Sequence, residues 1–342
     1  MDEARPRGRA GNVILRPGTD AVRNRLVYPS AARRRPAGGP GAPVSAATVL
    51  DLIGNTPLLP LRRMVPPGSA SVLLKMESLN PSGSLKDRIV KYIIDEAEAA
   101  GTLRPHHVII DASSGNTGIA LGMVATLKGY RSRIYMPETK SVERRKIMRT
   151  WGTDLVLTSG ADQNSHIWAA EQAAKDADTY FYLNQNGNPG NVMAHYAGTG
   201  AEILEQTGGN VDCFVAGAGT GGTLMGVARY FADHGCAARI VAIEPDSSHS
   251  KIEGLLHFDG TFVPAIWEPE RVHERRRVDD ATAFEFARRL AREEGIFCGP
   301  STGAILAVTL EQAAALGAGR TVVAVACDRG ERYLSTKLVP EA

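Results

Sequence analysis

Residues 211–223 read Val-Asp-Cys-Phe-Val-Ala-Gly-Ala-Gly-Thr-Gly-Gly-Thr, and the fold turns on how this stretch is read. The apolar run Val211–Ala216 has strand character and empties into a glycine loop, from which a helical pattern departs over Gly221–His234. Strand, glycine loop and helix in that order form half of a βαβ unit. Backbone N–H groups stacked at a helix N-terminus bind phosphate, and glycine lets the ligand come close. Gly217, Gly219 and Gly222 also fit G-x-G-x-x-G, and Glu244 ends the next strand 22 residues on. A dinucleotide site wants an acid there for its ribose. On this stretch alone an NAD(P) site, another phosphate ligand and a structural turn all stay open.

The same alternation runs outward in both directions. Strands are expected at Val72–Met76, Val108–Asp111, Arg133–Met136, Asp154–Leu157, Arg239–Glu244 and Thr321–Ala326, with a strand-like piece at Ile296–Cys298. Between them lie helical patterns at Asp87–Gly101, Asn116–Gly129, Ser141–Gly152, Gln163–Asp176, Asn191–Gln206, Ala281–Glu294 and Thr302–Leu316. Strands separated by helices of about 10–15 residues mean an α/β protein with largely parallel sheets, two of them for a chain this long. We place an N-terminal α/β domain at 46–190 and a C-terminal one at 191–342.

Composition narrows the function. The chain has 342 residues, 43% hydrophobic and 22% charged, which supports a sizeable core without metal or disulfide staples. No apolar run approaches the roughly 18 residues of a membrane span. The net charge of +2 divides unevenly: residues 1–45 hold nine Arg against Asp2, Glu3 and Asp20, and the rest carries a balance of −4. A mildly acidic body argues against nucleic acid as a partner. Cys213, Cys236, Cys298 and Cys327 have neither C-x-x-C spacing nor paired histidines, so no metal site is expected and a reducing, cytoplasmic setting is. Cys213 and Cys327 read as buried strand residues.

Three further loops carry chemistry. Asn80–Arg88 (Asn-Pro-Ser-Gly-Ser-Leu-Lys-Asp-Arg) hands Lys86 to a helix start. The positive dipole end disfavours an ammonium there and suits an amine used as a Schiff-base nucleophile. An exposed lysine beside Asp87 is the plainer alternative. Ser113-Ser114-Gly115-Asn116-Thr117-Gly118 offers hydroxyls and free amides at a helix start, a cradle sized for a carboxylate or simply a cap. Gly299–Ala304, with Ser301, opens another helix in the same way. One amine, one phosphate cradle and one carboxylate cradle describe an amino-acid enzyme that uses pyridoxal phosphate.

In order and spacing these four segments resemble the signatures of the fold-type II pyridoxal-phosphate enzymes, the tryptophan synthase β-like fold. Ile53–Leu58, Met136–Lys146, Glu294–Gly299 and Cys327–Thr336 resemble the cysteine synthase and cystathionine β-synthase family, above all the B-form O-acetylserine sulfhydrylases. The resemblance implies that Lys86 holds the cofactor and removes the substrate's α-proton. It implies Asn116 on the ring oxygen, Gly219, Thr220, Gly221, Gly222 and Thr223 on the phosphate, and Ser301 at the pyridine nitrogen. Ser113, Ser114, Asn116 and Thr117, with Gln185, are implied to clasp the substrate carboxylate. The implied reaction is β-replacement on O-acetyl-L-serine or O-phospho-L-serine through an aminoacrylate, with sulfide or thiosulfate as nucleophile, in a homodimer. Amine addition, cystathionine formation and a non-catalytic binding role are the alternatives. One departure stands out: Leu256 and His257 occupy the positions where B-form enzymes carry two arginines for the acceptor, with Lys251 and His257 as partial substitutes.

Residues 1–45 combine nine Arg, six Pro and six Gly with no Lys, a composition expected to be disordered. They precede every family-like segment, and targeting or partner binding is their other reading. Deleting residues 1–45 is expected to leave turnover unchanged. Lost activity in the truncated chain would make this stretch part of the enzyme.

Overall fold

The computed structural model describes residues 46–160, 164–259 and 262–339; the expectations for residues 1–45 lie outside the described residues. The chain first lays down β1 (Leu58–Pro60), β2 (Ser71–Lys75), α1 (Lys86–Ala99), β3 (Val108–Ala112), α2 (Asn116–Lys128) and β4 (Arg131–Pro137). It continues with α3 (Val142–Thr150), β5 (Asp154–Thr158), α4 (Ser165–Ala173), β6 (Tyr180–Tyr182), α5 (Gly190–Ala194) and α6 (Ala201–Thr207). The last part holds β7 (Cys213–Gly217), α7 (Gly222–Asp233), β8 (Arg239–Pro245), β9 (Glu274–Val278), α8 (Asp280–Glu294), α9 (Pro300–Leu316) and β10 (Thr321–Val325).

These strands form a six-stranded sheet in the order β1-β2-β10-β7-β8-β9 and a four-stranded sheet in the order β5-β4-β3-β6. Only the β1–β2 pair is antiparallel. The inner strands are continuous apolar runs because helices cover both faces. In β10, Val322 and Ala324 enter the core shared with α9, while Val323 and Val325 enter the core shared with α7, the period-two division of a strand buried on both sides. The α/β class with largely parallel sheets is as the alternation predicted.

Three local readings are corrected, and one strand is added that the sequence did not signal. The sheets do not divide at residue 190, because Val72 and Leu74 of β2 share a core with Val322 and Ala324, and β2 pairs with β10. The expected helix 191–206 is interrupted by a π-helical turn at His195–Gly200. There Gly198 lies so close to Arg88 that a Cβ would sit 2.8 Å from its Nη1. Ile296–Cys298 makes one antiparallel bridge, Cys298 to Arg329, rather than a strand. Finally, β9 (Glu-Arg-Arg-Arg-Val) carries no apolar signal because it is an edge strand, where charge blocks pairing with other chains. Its Arg275 donates to Glu244 (Nε to Oε1, 2.5 Å). The acid that a dinucleotide would need is thus buried and already engaged.

The start of α1 is tied down by a buried charge network. Arg88 donates to both carboxylate oxygens of Glu77 (Nε to Oε2, 2.7 Å; Nη2 to Oε1, 2.8 Å) and from Nη1 to Glu202 Oε1 at 2.6 Å. Lys75 donates to Glu202 Oε2 at 2.7 Å and to the Thr56 carbonyl at 2.6 Å. Burial pushes the Glu77 carboxyl up, but the Arg88 charge and hydrogen bonds outweigh it and hold it below its ordinary range. Removing one partner from such a cluster strands a buried charge. Arg88→Met is expected to cost about 3–5 kcal/mol of stability, read from urea unfolding. A loss below about 1 kcal/mol, the range of exposed pairs, would contradict this.

Candidate active site

Parallel strands bring their C-terminal ends, and the loops that follow, to one rim. The loops after β3, β4, β7 and β8 line a single cleft of about 660 Å³. Lys86, Ser113, Ser114, Asn116, Thr117, Gln185, Gly219 and Thr220 all face it. Gly221, Gly222 and Thr223 continue into the first turn of α7 and do not line it. Nor does Ser301, buried in the first turn of α9.

Lys86 is delivered by its neighbours. Asp87 turns inward, accepting the Ser82 N–H at 2.7 Å and the Ser82 hydroxyl, and so closes the 80–85 turn. Arg88 turns to the charge network, which leaves Lys86 directed at the cleft. The plainer alternative, a surface lysine paired with Asp87, does not hold. Burial lowers the Lys86 amine to about 8, opposed by the nearby Cys327, Asp111 and Asp328. Such an amine is deprotonated in useful proportion near neutral pH, as a nucleophile or base requires.

The 113–118 loop is shaped by its own hydroxyls. Ser113 Oγ accepts the N–H groups of Gly115 (3.0 Å) and Gly118 (3.1 Å), which caps the helix start. Thr117 Oγ1 donates to Gln185 Oε1 at 2.5 Å, and Gln185 Nε2 donates to the Ala112 carbonyl at 2.9 Å. Gln185, 68 residues away in sequence, is therefore locked to this loop.

Asn116 is held from the far end of the chain. Its Nδ2 donates to Asp328 Oδ2 at 2.6 Å, and Arg332 Nη1 donates to its Oδ1. The Tyr333 hydroxyl donates to the same Asp328 oxygen at 2.6 Å, and Arg332 Nη2 reaches the Ser82 carbonyl at 2.7 Å. Sequence reasoning singled out none of Asp328, Arg332 and Tyr333 individually. Only the family-like look of segment 327–336 marked the region.

The phosphate-type loop is equally built. Gly221 has φ +88°, a left-handed conformation suited to glycine. Asn191 Nδ2 donates to Thr220 Oγ1 at 2.9 Å and to the Gln185 carbonyl at 2.8 Å. A Cβ on Gly222 would lie 1.8 Å from Asn191 Oδ1. His195, on the π-helical turn, hydrogen-bonds Thr223 Oγ1 through Nε2 (3.2 Å) and Thr199 Oγ1 through Nδ1 (2.9 Å). Burial lowers the His195 imidazole to about 3, so it is neutral and bridges two hydroxyls. Neither Asn191 nor His195 carried a sequence signal.

Cys327 requires correction. It lies beyond the end of β10 rather than in it, with its N–H donated to Thr302 Oγ1 at 3.0 Å. Its thiol lies within interaction range of Ser301 and Lys86, and burial followed by the Asp328 charge pushes it to about 12. A thiol so raised is neutral, not a nucleophile. Among the described residues no three His, Cys, Asp or Glu side chains are grouped to hold a metal, and no helix is long and apolar enough to cross a membrane.

Asp111, at the end of β3, is fully buried, and its Oδ1 accepts the Ala112 N–H at 2.9 Å. Burial raises its carboxyl from 3.8 to about 7 against that bond. The folded state therefore binds more protons than the unfolded state between those values, and stability from this group falls as pH rises through them. The stability difference between the parent and Asp111→Asn is expected to shift against the parent from pH 4 to pH 7. A difference that is flat over that window would contradict the assignment.

Comparison with known proteins agrees with this geometry. Residues 49–328 match the family described as pyridoxal-phosphate dependent enzyme. The chain is 42% identical over 297 residues to cysteine synthase B of Escherichia coli (strain K12), covering 86% of this chain and 97% of that one. A cysteine synthase of Staphylococcus aureus (strain Mu50) is 40% identical over 300 residues, covering 85% and 96%. The crystal structure of an O-ureido-L-serine synthase superposes with a TM-score of 0.82 at 40% identity, covering 87% of this chain and 97% of that one. On that match and those identities, the chain belongs to the pyridoxal-phosphate dependent enzymes, as a fold-type II, cysteine synthase-like transferase.

Proposed function

We propose that the chain catalyses β-replacement on O-acetyl-L-serine, with O-phospho-L-serine the other activated serine, and uses sulfide to form L-cysteine. One observation carries this reading: a desolvated amine, Lys86, shares one cleft with a carboxylate-sized loop at 113–117 and with Gly219 and Thr220, the start of the phosphate-type loop. The residues fit the cofactor. Backbone amides at the start of α7 suit its phosphate, and the close packing at Gly222 leaves no room there for a side chain. When bound, pyridoxal phosphate supplies an electron sink for the substrate's Cα–H bond.

The chain's residues take these roles. Lys86 Nζ holds the cofactor and, once released by substrate, takes the α-proton. Ser113, Ser114, Asn116, Thr117 and Gln185 bind the substrate carboxylate. Asn116, fixed by Asp328 and Arg332, orients the ring. Gly219, Thr220, Gly221, Gly222 and Thr223 hold the phosphate, with His195 and Asn191 setting the threonine hydroxyls. Ser301 is assigned to the pyridine nitrogen. The neutral Ser301 hydroxyl, unlike a carboxylate, would not hold a proton on that nitrogen, which would favour expulsion of a β-leaving group over transamination. A cytoplasmic homodimer belongs to the same reading. The likeness to O-ureido-L-serine synthase, whose name implies a product without sulfur, keeps a second reading in which the nucleophile is not sulfide.

The loaded enzyme is expected to release L-cysteine from O-acetylserine and sulfide. Lys86→Ala is expected to lose at least about 10³-fold in turnover, beyond what one misplaced general base costs on average. Absence of cysteine, or an alanine variant with parent turnover, would overturn the proposal.

A further inference from the structure

Arg144 projects from α3 with 2% of its side chain exposed. Its guanidinium stacks 4.5 Å over the Tyr333 ring. Its stem runs along the carboxylate loop so tightly that a Cβ on Gly115 would lie 2.2 Å from Arg144 Cδ. This cation forms an ion pair with Glu253. Glu253 belongs to the segment after β8, which is docked by the Leu256 N–H on the Ala218 carbonyl (2.8 Å) and the Lys251 N–H on Asp280 Oδ1 (2.9 Å). The pair therefore spans the cleft, from the layer of the smaller sheet to a loop of the larger one.

The charge lining the cleft is small and specific. Among the described residues Glu253 is the single acidic side chain facing it. Lys86, Lys140 and Arg144 are the cations, and the imidazoles of His166, His249 and His257 with the phenol of Tyr333 complete the titratable set. Lys86 is taken up by the cofactor. With Glu253 on Arg144, the remaining balance of the lining side chains is one positive charge, carried by Lys140. Leu256 and His257 add no guanidinium to it, and the His257 ring is hydrogen-bonded to the Pro245 carbonyl at 3.0 Å.

The geometry points to Glu253 as a charge filter on the nucleophile: its carboxylate occupies Arg144, so the acceptor side of the cleft takes a neutral or singly charged nucleophile and disfavours a doubly charged nucleophile such as thiosulfate at Arg144. A singly charged hydrosulfide matches the remaining balance. A dianion has to compete with Glu253 for Arg144 and then lie beside the displaced carboxylate, a repulsion that discriminates between nucleophiles. The inference deepens the β-replacement reading and rests on it for the identity of the nucleophile.

The test uses the full-length, cofactor-loaded protein and two readouts. In calorimetric titration, sulfate serves as an unreactive dianion and chloride as a monoanion. Glu253→Gln is expected to bind sulfate at least about tenfold more tightly than the parent, the effect of one modest charge interaction, with chloride little changed. The gain is expected to vanish in the double variant Arg144→Met/Glu253→Gln, and Glu253→Asp should keep the parent's behaviour. In turnover, the thiosulfate-to-sulfide ratio of kcat/KM should rise in Glu253→Gln by a similar factor. Unchanged sulfate affinity in Glu253→Gln, or a gain that survives loss of Arg144, would overturn the filter. The unaltered protein gives a reading that needs no variant: thiosulfate should be at least about 100-fold poorer than sulfide, about two decades of differential binding, and parity would overturn the proposal. Because sulfate binding requires no turnover, a protein that makes no cysteine yet shows the sulfate gain supports the filter and sinks only the reading in which sulfide is the nucleophile.

Discussion

Three consecutive residues, Lys86, Asp87 and Arg88, set the site. Asp87 and Arg88 are both buried, one closing the preceding turn through Ser82 and the other bound to Glu77 and Glu202. A helix start pinned at two successive positions has little freedom at the third, so Lys86 is held toward the cleft at a fixed point. Its amine needs no nearby carboxylate as an ion-pair partner, because burial brings it to about 8. Partner charge would raise that value and hold the proton on the amine.

The opposing wall is organised from a distance. Asp328 takes the Asn116 amide and the Tyr333 hydroxyl together, while Arg332 closes on both Asn116 and the 80–85 turn. The segment after β10 is thus a clasp joining the lysine turn to the 113–118 loop. Tyr333 also carries Arg144 on its ring, so the ion pair with Glu253 extends the same network to the segment after β8. Groups held this way lose little freedom when a ligand arrives, which is how a positioned site accelerates a reaction.

The alternation of apolar runs and helical patterns made the α/β class legible, and the loops at 80–88, 113–118 and 217–223 were legible as chemistry because glycine, serine and a misplaced lysine at helix starts have few other uses. What stayed hidden has a common physical cause. Asp328, Arg332, Asn191, His195 and Arg144 are polar or charged residues whose burial depends on partners far away in sequence, and periodicity describes only near neighbours. β9 escaped because an edge strand can be mostly arginine. The division at residue 190 failed for a related reason, since nothing local in β2 says that its partner is β10.

The central claim is that burial and the fixed helix start single out Lys86 as the amine that binds the cofactor. Borohydride reduction of the loaded protein, followed by proteolysis and mass spectrometry, tests this most directly by fixing the cofactor where it is attached. The account predicts one labelled peptide, with the pyridoxyl group on Lys86. Label on Lys140 or any other lysine, with Lys86 unmodified, would contradict it.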